Sequence, residues 1–158
     1  MTRMLLPDVL KDALLERWLD PDSGFPATPA ESGQRFAEAV SGWFALAMAG
    51  AFPCATAQAR QGQLASQAAT ALMAALPPAA GMQLAMAVAS YYSGQSFGAG
   101  TASFPLASSA VAVAFGAVFA DLGSDAETRA ERIALGCHVL ALSTLVVFPA
   151  PLPPLPVF

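Results

Sequence analysis

His138 is the only histidine in the chain, and it follows Cys137 directly. A thiol beside an imidazole is the raw material of a cysteine nucleophile and its base. Both residues fall in a stretch that reads as helix, where neighbours in sequence point about 100° apart. The two side chains cannot then hydrogen-bond as a catalytic pair, and His138 reads as structural. Cys54 is the other cysteine. One imidazole and two distant thiols give neither a zinc spacing nor a disulfide framework, so both cysteines read as small buried residues. Gly94, Gly98 and Gly100 have the density of a phosphate-binding loop, but such a loop needs a preceding strand, a following helix start and a lysine. A connector is the expectation. Asp8, Asp12, Glu31, Asp125 and Glu127 stand at or near helix starts, where capping and solvation account for them. We therefore read no enzyme here, with no catalytic residue, cofactor or metal.

The elements that carry these residues are expected to be helices. Leu10, Leu14 and Trp18 recur at four-residue spacing over Pro7–Leu19. Asp20 to Pro26 is a loop of turn residues. Thr28-Pro29-Ala30-Glu31 is a capping box with proline at the first helical position, opening a second helix to about Gly50. Thr56–Leu76 and Ala79–Tyr92 follow, divided by Pro77-Pro78. Ser93–Pro105 is a glycine-rich loop, Leu106–Ala120 a fifth helix, and Asp125–Leu142 a sixth, behind a second capping box read at Ser124. Ser143 to Phe148 is β-branched and reads as extended. No internal repeat of fixed period is visible in the residues themselves. The fold class expected is all-α: a compact bundle of about five or six helices over residues 1–148, with an extended proline-rich C-terminal arm at 149–158.

Of the 158 residues, 56% are hydrophobic and only 11% charged, mostly because of alanine, and the net charge is −4. Seven basic residues argue against a nucleic-acid surface, which needs clustered Lys and Arg. Between Arg60 and Asp121 there is no charged residue. Free helices normally place Lys or Glu on their solvent side, so this block is expected to be covered by protein or lipid. The apolar stretches Ser41–Pro53, Ala79–Tyr92, Phe104–Ala120 and Ile133–Phe148 are each shorter than the ~20 residues of a spanning helix and are diluted with Ala, Gly, Ser and Gln. Membrane insertion is the weaker reading. The residues Met1 to Asp8 lack the apolar run and cleavage site of a secretory leader, and none is expected there.

The tail, Pro149-Ala-Pro-Leu-Pro-Pro-Leu-Pro-Val-Phe158, is too rich in proline to be helical. It either lies along a neighbouring subunit or folds back over its own domain, and the first is expected. Tyr91, Tyr92, Phe97 and Phe104 around the glycine-rich loop, and Leu152, Leu155, Val157 and Phe158 in the tail, are the residues expected to bind a partner.

The Arg35–Trp43 helix (Arg-Phe-Ala-Glu-Ala-Val-Ser-Gly-Trp), Tyr91-Tyr92 before a Gly-rich loop, Ala117-Val-Phe-Ala120, and a capped helix leading to a valine run and a proline-rich end form a layout. It resembles short alanine-rich structural (virion) proteins of tailed bacteriophages and prophages. The chain departs from that group at Phe148-Pro149, where a Thr-His pair would be expected. The resemblance implies a non-enzymatic component of a tail, baseplate or neck, assembled in the bacterial cytoplasm. It would pack against other virion proteins and copies of itself. Rival expectations are a holin-like membrane protein and an assembly chaperone or adaptor.

Overall fold

The computed structural model describes residues 5–19 and 28–158. The expected loop from Asp20 to Pro26 lies outside the described residues. The Thr28 hydroxyl accepts from the Glu31 N–H at 3.1 Å and starts α2 (Pro29–Phe44). The other described helices are α1 (Pro7–Arg17), α3 (Gln61–Leu72), α4 (Pro77–Tyr92), α5 (Ser108–Ala120) and α6 (Ala126–Leu142). Pro77 and Pro78 open α4, where a missing N–H costs nothing, but they do not end α3: the helix expected over Thr56–Leu76 spans only Gln61–Leu72 and stops before the prolines are reached. The second box is corrected: Asp125 is the cap of α6, accepting from the Thr128 N–H at 2.8 Å. Ser124 instead donates to the Asp121 carbonyl and accepts from Arg129 Nε.

The all-α expectation is also corrected, since the described residues are mostly helical but include six short strands. Helix α2 stops at Phe44, and the residues expected to continue it form a hairpin, β1 (Met48–Ala49) and β2 (Phe52–Pro53), turning at Gly50 with φ 61°. The glycine-rich connector is a second hairpin, β3 (Ser96–Phe97) and β4 (Gly100–Ala102), turning at Gly98, also φ 61°. The β-branched run supplies β5 (Leu145–Val147), and the tail supplies β6 (Leu155–Pro156). Strands β3, β4, β5 and β6 pair in that order, all antiparallel. Two bridges, Ala49 to Val157 and Cys54 to Phe97, then join β1 to the end of β6 and the end of β2 to β3. The six strands close into a ring with no free edge. Ala49, Phe97, Gly100, Ala102, Val146 and Val157 face the buried side.

The element order repeats. Two helices and a hairpin occur three times: α1-α2-β1-β2, α3-α4-β3-β4 and α5-α6-β5-β6. Forty-eight residues separate Pro29 from Pro77 and Met48 from Ser96, and forty-nine separate Pro77 from Ala126 and Ser96 from Leu145. This corrects the reading that the chain has no internal repeat. The units pack in a cycle, α2 on α3, α4 on α5 and α6 on α1. The cycle depends on small residues at equivalent places. A Cβ on Gly33 would overlap the Ala65 carbonyl oxygen in α3, and one on Gly81 the Phe115 carbonyl oxygen in α5. The equivalent position in α6 holds Ala130, fully buried. At the centre, Phe44 stacks on Tyr92 with centroids 4.2 Å apart, and buried Ala141 takes the third equivalent place.

The expected extended arm therefore folds back on its own domain. Val157 N–H donates to the Thr144 carbonyl, and Met48 and Phe158 exchange two backbone bonds at 2.8 and 2.9 Å. Segment 149–158 shares its sheet with the domain of 1–148.

Two predictions follow from these contacts. Thr28→Ala and Asp125→Ala should each destabilise the fold by about 1 kcal/mol, the usual worth of an N-cap, in chemical denaturation. Ser124→Ala should cost less than Asp125→Ala, and the reverse order would contradict the cap assignment. Deleting residues 149–158 should expose the edges of β1 and β5, so that the truncated chain aggregates or loses its cooperative thermal transition. A truncated chain melting at the full-length temperature would show that the ring does not need its last strand.

Candidate functional site

The residues with chemical potential are placed first. Cys137 is fully buried in α6, and loss of solvation pushes its thiol far above the usual range. Its carbonyl accepts from the Tyr92 hydroxyl at 3.1 Å. His138 points elsewhere. It packs edge-on to Trp43, bonds to the backbone of Leu5, and is held by burial below the usual imidazole pKa. Cys54 is half-buried and 3.6 Å from Gln95 Oε1, with its thiol also raised by desolvation. Neither thiol has the lowered pKa of a nucleophile. Among the described residues, no group of three His, Cys, Asp or Glu is placed to hold a metal.

The glycine-rich segment is filled by its own chain. Phe52 packs on Gly98, and Val146 and Phe148 pack on Gly100. Arg60 lies beside Gly94, and its Nη1 donates to the carbonyls of Tyr91 and Ser93 at 3.0 and 2.5 Å. The last cation before the charge-free block thus satisfies the C-terminal carbonyls of α4 and complements its dipole.

Of the eight residues expected to bind a partner, Tyr91, Tyr92, Phe97 and Val157 are buried in this chain's own core. The Tyr91 hydroxyl donates to the Ala57 carbonyl at 2.7 Å, and Phe97 packs edge-on to Phe44. A partner would reach these four only if the fold opened. Leu155 and Phe158 are half-buried, Leu155 against the core. Phe104 and Leu152 are exposed, on different segments of the surface.

The surface that stands out was not reached by naming aromatic residues. An open groove of about 750 Å³ runs over α3, α4 and α5. Met82 and Met86 of α4, Val113 of α5, and Ser66, Gln67 and Thr70 of α3 line it, over buried Ala71, Ala87 and Ala112. Met82 is 46% exposed, Met86 42% and Val113 68%. Every polar group in it is a neutral hydroxyl or amide. The uncharged block was the signal in the sequence; only folding shows which of its side chains face out.

The threefold repeat provides an internal control. Positions equivalent to Met82, Gln83 and Met86 are Gln34, Arg35 and Glu38 in α2, and Glu131, Arg132 and Leu135 in α6. Those faces carry ion pairs, Arg35 with Glu31, Arg17 with Glu38 and Arg132 with Asp121. The architecture thus tolerates charge at this place twice, and the neutrality of the third face is not required by folding.

In comparison with known proteins, no family model, no curated protein and no solved structure matches this chain. Among the described residues, no helix is long and apolar enough to cross a membrane.

His138 supplies a test of the site's electrostatics. Its folded pKa lies below the unfolded value, so the folded state favours the neutral ring. The contribution is intact above the unfolded pKa of about 6.5 and is lost as pH falls from there through the folded value. Thermal stability should decline over that window, and His138→Gln should flatten this part of the profile. An unchanged profile in the variant would assign the decline to other groups.

Proposed function

We propose that this chain is a non-enzymatic structural component of a bacteriophage virion, of the tail, baseplate or neck, acting by packing against other protein chains. The observation that carries the packing role is the neutral groove on α3, α4 and α5, where methionine and valine stand exposed on a face whose counterparts on α2 and α6 each carry two charged residues. Methionine adapts its shape to a partner at little cost and is favoured on such surfaces. The virion assignment rests on the resemblance to alanine-rich phage structural proteins.

The test is the composition of purified particles. In a phage that encodes this chain, quantitative mass spectrometry of gradient-purified virions should find it at a fixed ratio to the major structural proteins. Met86→Glu should lower that ratio at least tenfold while leaving expression unchanged. Absence from particles, or recovery only in a detergent-extracted membrane fraction, would overturn the virion reading.

A further inference from the structure

The geometry points to a ligand site at the helical pole of the molecule, opposite the strand ring: a half-enclosed pocket of about 330 Å³ that takes a short unbranched apolar carboxylate. It lies apart from the α3–α4–α5 groove and does not depend on the role read from that groove.

Helices α1, α3 and α5 end at this pole, and α4 and α6 begin there. The pocket therefore draws on all three units: Trp18 and Leu19 after α1, Leu72 and Pro77 where α3 gives way to α4, and Phe119 and Ile133 on α5 and α6. The repeat explains why space is left. Phe36, Leu84 and Ile133 follow one another at 48 and 49 residues, like the helix starts, and all are buried. One turn nearer the pole the equivalent residues are Ser32, Ala80 and Arg129. In the first unit the Ser32 hydroxyl accepts from the Trp18 indole N–H at 2.6 Å, and Trp18 packs edge-on to Phe36, which closes that sector. In the second, Ala80 offers only a methyl group and leaves the space above it open.

The third position carries the charge. Arg129 Nε donates to the Ser124 hydroxyl and its Nη2 to the Asp121 carbonyl, both at 3.0 Å. These acceptors are neutral, so they fix the guanidinium without cancelling its charge. Among the described residues, Arg129 takes part in none of the ion pairs. The carboxylates nearest to it in sequence are engaged elsewhere, Asp121 by Arg132 and the Gly123 N–H, and Asp125 by the Thr128 N–H. A guanidinium has five N–H donors, and those left over suit a carboxylate, with which the bond is charge-assisted.

The rest of the ligand must be hydrocarbon. Ligand pockets of roughly 300 Å³ and more are mostly apolar, with a few polar groups that fix orientation. Here the Trp18 N–H is already taken by Ser32, so the lining side chains offer no polar group besides Arg129. A peptide laid in the pocket would bury its own N–H and C=O groups without partners, which is unfavourable. A cation would face Arg129. A short alkyl chain ending in one carboxylate meets both conditions. Its walls belong to three units, so the ligand bridges them at the pole that the strands do not close, and it should stabilise the folded chain by mass action.

Calorimetric titration of the full chain with octanoate is the test, with 1-octanol and octylamine as probes of the same chain length. Octanoate should bind one per chain, raise the melting temperature, and give nuclear Overhauser contacts from its alkyl protons to the rings of Trp18 and Phe119. Octanol should bind at least tenfold more weakly, and octylammonium not at all. Arg129→Gln should weaken octanoate binding at least tenfold and leave octanol unchanged. Leu122→Glu, at a pocket position 76% exposed, is the second variant if Arg129→Gln does not fold, and should act in the same direction by repulsion. Four results would overturn the inference: no binding at millimolar octanoate, equal affinity for octanoate and octanol, contacts confined to Met82 and Met86, or affinity indifferent to both variants.

Discussion

Closure is the constraint on which the rest of this molecule depends. Three units of two helices and a hairpin can bury their apolar faces only by covering one another in a cycle, so α6 must return to α1 and β6 to β1. Strands of two or three residues have almost no stability alone. Here each is held because both of its edges are paired, and the ring leaves no row of unsatisfied N–H and C=O groups exposed. The stack of Phe44 on Tyr92 lies where α2 and α4 converge, and the Tyr92 hydroxyl reaches the Cys137 carbonyl of α6. One side chain thus ties the three inner helices together.

The alanine content follows from the same cycle. An alanine side chain buries little area, so a fold rich in it gains from close backbone approach. Gly33 and Gly81 take this to the limit, since their helices approach α3 and α5 closely enough to leave no room for a Cβ. Ala130 fills the third place, where α6 meets α1. Interdigitation is then limited, and specificity comes from the few large residues at the centre and from polar bonds within and between the units. The Trp43 indole donates to the Leu6 carbonyl, the Ser41 hydroxyl to Gln61, and the Thr56 hydroxyl to Gln95. Among the described residues, no buried side-chain nitrogen or oxygen lacks a partner.

A repeated architecture with an unequal surface separates folding from function. Equivalent core positions such as Phe44, Tyr92 and Ala141 are buried in all three units, while the outward positions differ in charge. Ion pairs cover the unit containing α1 and α2 and reach onto α6, with Lys11 joining Glu127 across the closing contact. The middle unit has none. Packing alone does not distinguish the units in this way.

Much of the helical layout was legible in the sequence. Thr28-Pro29 at the start of α2 and the four-residue apolar spacing of α1 act through nearest neighbours and operate as the sequence suggests, whereas α2 and α3 stop short of the glycine and prolines expected to end them. The β-branched character of Leu145–Val147 was legible for the same reason. Three features were decided by the tertiary structure. The tail reads as an arm because its prolines forbid helix, yet extended backbone is also what a β-strand needs, and Thr144 and Val146 on one side and Met48 on the other supply its backbone partners. Tyr91, Tyr92 and Phe97 look like contact residues, but α4 turns them inward, where Phe44 and the Ala57 carbonyl receive them. The repeat is hidden because equivalent positions share a geometric demand and not a residue: Phe44, Tyr92 and Ala141 at the centre, Pro29, Pro77 and Ala126 at the helix starts. The sequence by itself determined local structure and the absence of charge from the middle of the chain. Only the tertiary structure decided which of those neutral residues face outward, because burial depends on contacts between elements far apart in sequence.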